Sequence, residues 1–173
     1  MSTVGGMRVE FTSPSERHRL CAWTAYRGKG ERSVVPGSVM AAGAGLPHDV
    51  GQYVVEAATG LRRGFWGLVE QGATFKSTGR RVTKPGRALI VTHRAELDEA
   101  ERIAGVHLAR WRAGDAGDVA RHLTAALDGW RMLDTGDTLV FRWPDATGAV
   151  GQRDRTVHRL RPVVPRQFTG NRH

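Results

Sequence analysis

At 173 residues, with 40% hydrophobic and 25% charged side chains, the chain has the composition of one globular domain: too short for two, too apolar for a disordered or fibrous chain. A lone cysteine, Cys21, excludes a disulfide framework or a thiol-pair zinc site, and neither a signal-peptide pattern nor a run of about 18 apolar residues occurs. A cytoplasmic protein without a membrane partner is therefore expected, and its net charge of +9 is segregated: residues 1–94 carry 14 bases and 6 acids, 95–145 carry 6 and 10, and 146–173 carry 6 and 1.

In chain order, MRVEFTS and HRLCAWTAYR alternate apolar with polar residues around a Ser-Pro-Ser-Glu turn, which predicts an antiparallel hairpin. RSVV, after the Gly28-Lys29-Gly30-Glu31 turn, reads as a third strand ending at Pro36-Gly37, and a glycine- and alanine-rich stretch runs on to Leu46. Pro47 suits the first turn of a helix. Val50, Val54, Ala57 and Leu61 make a core stripe on it, while His48, Gln52 and Glu56 stack on the opposite ridge, exposed or lining a cleft. Gly60 is placed as a cap, and Leu61, Phe65 and Leu68 begin a second, short helix.

Residues 76–87, KSTGRRVTKPGR, have no apolar period and hold five bases without an acid, so they read as a mobile basic loop. From about Gly86 to Arg112 the spacing of Leu89, His93, Leu97, Ala100, Ala104, Leu108 and Trp111 predicts one long amphipathic helix; a short ALIV strand with a helix from Thr92 is the alternative. Another helix, N-capped by Asp118 and running to about Leu133, puts Val119, Leu123, Ala126, Leu127 and Trp130 on one side. The short Ala113-Gly114 connection makes these two an antiparallel pair. TLVFRWP and TVHRLRPVV are read as a closing hairpin around DATGAVGQRD, followed by a frayed RQFTGNRH. The expected fold is a single α+β domain over residues 1–165. In it, an antiparallel sheet of N- and C-terminal strands packs with about four helices including the long pair, and 166–173 form the tail.

Four groups of residues are candidates for function. His48 beside Asp49, with Glu56 two turns on, is minimal equipment for acid–base catalysis, and equally a hydrated first helical turn. Trp66, in the glycine-flanked Gly64-Phe65-Trp66-Gly67, suits a ligand platform or tight core packing. Lys76, Arg80, Arg81, Lys84 and Arg87, with nearby hydroxyls and glycines, offer donors for phosphate; Arg62 and Arg63 can extend the set. His93 and His107 read as satisfied core or boundary histidines. No HExxH, CxxC, GxSxG, P-loop or GxGxxG is present, so no metal, cofactor or nucleophile is assigned.

LPHD, VVE and GLRRGFWG together resemble a pattern found in small "hypothetical" proteins of GC-rich bacteria. The resemblance spans residues 46–75 and implies no activity, substrate or catalytic residue.

Two functions follow as expectations. The first is a cytosolic basic binding module for an anionic partner, nucleic acid or a phosphorylated ligand, because bases outnumber acids and are segregated. The second is a small enzyme or ligand-binding protein whose pocket centres on His48, with Asp49 or Glu56 as its carboxylate, Trp66 as a wall and the basic loop as an anion clamp.

Overall fold

Apolar alternation sets the sheet. β1 (Arg8–Thr12) and β2 (Leu20–Arg27) pair antiparallel with Phe11 opposite Trp23 and Val9 opposite Ala25. β3 (Ser33–Pro36) adds Val35 beside Ala25, and β5 (Thr138–Arg142) adds Phe141 beside Val9 and Leu139 beside Phe11. These residues are all buried, so one apolar layer crosses four strands. The order is β3-β2-β1-β5-β6, where β6 is Ala149–Gly151, antiparallel throughout, with the two-residue β4 (Met40–Ala41) also on β2. On the opposite face Arg8 bonds Glu31 and Glu10 and stacks on Tyr26, 4.0 Å from the ring centre.

The computed structural model describes residues 6–14, 20–37, 40–41, 45–78 and 81–151, with backbone alone at 20, 21, 40 and 41. TVHRLRPVV, the frayed tail and the Cys21 side chain therefore lie outside the described residues. The partner of β5 is instead β6 (Ala149–Gly151), inside the stretch read as a turn. Backbone pairing to an available strand outweighs the glycine-rich composition there.

Five α-helices are described. α1 (His48–Thr59) ends at Gly60, whose φ of 74° lies in the left-handed region that glycine adopts at no steric cost. α2 (Phe65–Gln71) follows a short turn. The helix expected from Gly86 to Arg112 is two, α3 (Lys84–Thr92) and α4 (Arg94–Arg112), broken at His93. The break lets α3 lay Leu89 and Ile90 on Leu68, Ala73 and Leu97, a small core of its own. α5 (Asp118–Arg131) starts one residue after the Gly117 cap, so Asp118 is a first-turn acid and not the cap itself. α4 and α5 form the expected antiparallel pair, with Leu97 and Leu123 buried and Trp111 Nε1 donating to Thr124 Oγ1 at 3.0 Å.

α1 is the centre of the molecule. The sheet and the strand β5 extension cover Tyr53, whose ring meets Phe11, Phe141 and Trp143; α4 covers Gly51, where a Cβ would come within 2.7 Å of Leu108 Cδ2. Every residue from Val50 to Glu56 is buried. Enclosed on all sides between Val50 and Glu56, the helix has no solvated ridge there, which corrects the ridge reading for Gln52 and Glu56; His48, at the start of the helix, is exposed.

Candidate functional site

His48 and Glu56 share a side of α1 but not an environment. His48 opens the helix with its side chain 68% exposed, and its Nδ1 lies 3.3 Å from Asp49 Oδ1, a contact that raises its pKa. The other carboxylate oxygen of Asp49 accepts from Trp23 Nε1 at 3.1 Å, which ties the start of α1 to the sheet. Glu56 has no exposure at all. Its Oε1 accepts from Gln52 Nε2 at 3.0 Å and from the Phe65 N–H at 2.9 Å, and its Oε2 accepts from the Trp66 N–H at 2.9 Å.

Those two N–H groups belong to the first turn of α2, where no intrahelical acceptor exists. Glu56 therefore supplies the cap that the sequence around Gly64 lacks. Gly64 makes room for it, since a Cβ there would lie 2.4 Å from the Glu56 carboxyl carbon. Burial pushes the Glu56 carboxyl up to about 7 against the pull of its three donors, with Glu101 of α4 adding a like charge. The residue is a structural strut; its carboxylate does not meet His48.

Trp66 is likewise interior. Its ring lies 4.7 Å from that of Trp23, 5.4 Å from Tyr53 and 5.5 Å from Phe11, so of its two readings the packed core is the one realised. It is not on a surface with the bases. His93, at the α3–α4 break, sits 2.6 Å from Glu96, and His107 is half-buried on α4.

The basic stretch is partly helix, which corrects its reading as a loop. Thr83 caps α3, its hydroxyl accepting from the Gly86 N–H at 3.1 Å, and Lys84-Pro85 begin the first turn. Thr-Lys-Pro is a helix-start signature whose signal was masked by the lack of apolar residues before it. Thr83 is in turn held by buried Thr74, whose hydroxyl accepts from its N–H at 3.0 Å. Replacing Thr83 by Ala is expected to cost about 1 kcal/mol in urea denaturation, with loss of protection of the α3 amides in hydrogen exchange. Unchanged stability would show that α3 is held by its apolar side alone.

Lys76, Arg81, Lys84 and Arg87 are exposed and make no ion pair among the described residues; Arg80 lies outside them. No acid occurs anywhere between Glu70 and Glu96. Four of the six arginines of α4 and α5 behave differently: Arg94 pairs with Asp98, Arg102 with Glu99, Arg110 with Asp115 and Arg121 with Asp118, while Arg112 and Arg131 form no ion pair among the described residues. Among the described residues no three metal-ligating side chains gather, and no helix is long and apolar enough to cross a membrane.

No family model, curated protein or solved structure matches this chain.

Proposed function

We propose that the protein is a cytosolic binding module for a polyanionic partner, with the phosphate backbone of a nucleic acid as the best chemical match. One observation carries the reading: the cations of residues 76–87 that are described are all exposed and uncompensated, whereas four of the six arginines of α4 and α5 are paired with neighbouring acids. With no acid between Glu70 and Glu96, the five bases of residues 76–87 have no neighbouring carboxylate in the sequence, which leaves charge for an external anion. Lys84 and Arg87 also lie in the first turn of α3 with no acid beside them. That is the positive end of the helix dipole, where a cation is unfavourable by about 0.3 to 1 kcal/mol and an anion is favoured. A bound phosphate removes this conflict.

Fluorescence anisotropy with mixed-sequence DNA and RNA duplexes tests it. The affinity of the wild type should fall steeply with salt, log K losing roughly 0.9 unit per neutralised phosphate for each tenfold rise. A combined Arg81→Ala, Lys84→Ala and Arg87→Ala variant should flatten that slope by up to about three contacts while keeping its fold. Binding no tighter than ~0.1 mM near physiological salt, or equal slopes in the two proteins, rejects the proposal.

A further inference from the structure

Between the Gly60–Gly64 turn and the first two turns of α4 lies a cleft of about 480 Å3, a size that accepts a small organic molecule. Its surface is predominantly apolar: Gly60, Leu61 and Gly64 line one wall, Ala95 and Ala100 the other. The charged lining residues are Arg62, Arg63, Glu96 and Glu99. Three of these are already neutralised, because Arg63 reaches Glu96 at 2.6 Å, joining the walls, and Glu99 meets Arg102 at 2.7 Å. Arg62 is exposed and has no carboxylate partner among the described residues.

The turn that forms the first wall is fixed at both ends by one residue. The Glu56 carbonyl accepts the Leu61 N–H at 2.9 Å, and the Glu56 carboxylate holds the N–H groups of Phe65 and Trp66 just beyond Gly64. A preformed apolar cleft costs a ligand little reorganisation. Its single uncompensated cation offers one charge contact and so favours a ligand with one negative charge.

We propose that this cleft binds a small organic monoanion, an aromatic or branched aliphatic carboxylate, with Arg62 as its charge contact and the Leu61–Ala95–Ala100 surface against its apolar body. The site uses none of the cations of residues 76–87 and stands or falls separately from the polyanion reading.

Amide chemical-shift titration of the full chain tests it with three ligands: benzoate, neutral benzyl alcohol, and inorganic phosphate, which has charge without an apolar body. Benzoate should give saturable shifts centred on residues 60–64 and 95–100, benzyl alcohol several-fold weaker ones, and phosphate none there. Arg62→Ala should weaken benzoate by about tenfold, as expected for a lost charge-assisted bond, and abolish the preference over benzyl alcohol. Ala95→Trp, at an exposed position that fills the cleft, should remove both responses while the remaining spectrum stays folded. Benzoate shifts that are absent, unsaturable or centred elsewhere overturn the proposal, as does an equal benzoate response in wild type and Arg62→Ala.

Discussion

Glu56→Ala is expected to destabilise the protein by about 3 to 5 kcal/mol at pH 5 in urea denaturation, more than any surface substitution. The Phe65 and Trp66 N–H groups lose their acceptor, the buried Gln52 amide loses its own, and a void opens where the carboxyl stood. Each orphaned buried donor costs about 1 to 3 kcal/mol, and the void adds to that. Glu56→Gln keeps the shape and one acceptor oxygen but turns an NH2 toward an N–H, so its cost should be intermediate, about 1 to 3 kcal/mol. Gly64→Ala should also destabilise, by pressing a methyl on the same carboxyl from the other side. A loss below about 1 kcal/mol in Glu56→Ala would mean that α2 does not depend on this cap.

Between pH 4.5 and 8 the wild type should lose on the order of 3 kcal/mol of unfolding free energy, a change absent from Glu56→Gln. The folded-state pKa of Glu56, about 7, stands above its ordinary 4.5, so the native state holds this proton more tightly than the unfolded chain does. The stabilisation is fully present below 4.5 and disappears as pH rises through 7. His48, raised by Asp49, works in the same direction, but it is largely exposed and contributes little. Glu31 and Glu96 are lowered, Glu31 by Arg8 and Glu96 by His93 and Arg63, so what they contribute is lost on acidification. Stability should therefore be greatest near pH 5. Comparing wild type with Glu56→Gln isolates the buried carboxyl, and parallel pH profiles would show that it does not titrate in this range.

Both expectations depend on a residue whose position in the chain was legible while its surroundings were not. The helix itself could be read from Pro47, the Val50–Val54 spacing and Gly60. The antiparallel pair could be read from the apolar periods around Leu97 and Leu123, and the N-terminal hairpin from its alternation. The helical and strand periods behind these features depend on residues within about four positions of one another, and short turns join the paired elements, so nearby sequence contains most of the cause. The charge map is additive and could simply be counted. It picked out residues 76–87 without showing that the last of them start α3.

Which polar side chains meet water was settled by packing between distant segments. On paper Gln52 and Glu56 look like the solvated side of an amphipathic helix, because that reading assumes one covered face. In the fold the sheet, α4, α5 and the start of α2 cover α1 on all sides from Val50 to Glu56. The N–H groups that make Glu56 tolerable in the interior come from a turn that packs back on the helix, and no periodicity announces them. The cleft beside Arg62 has the same origin, since its walls come from segments far apart in the chain. Trp66 was open to two readings because burial of a ring between Trp23, Tyr53 and Phe11 is set by strands and helices closing from different parts of the sequence. Local sequence specified α1, α5 and the N-terminal hairpin, but not the break at His93, the start of α3 at Lys84 or the strand β6. The packing of the elements decided which carboxylate became a strut, which histidine stayed in water and which cations remained free, because those outcomes depend on partners that distant segments supply.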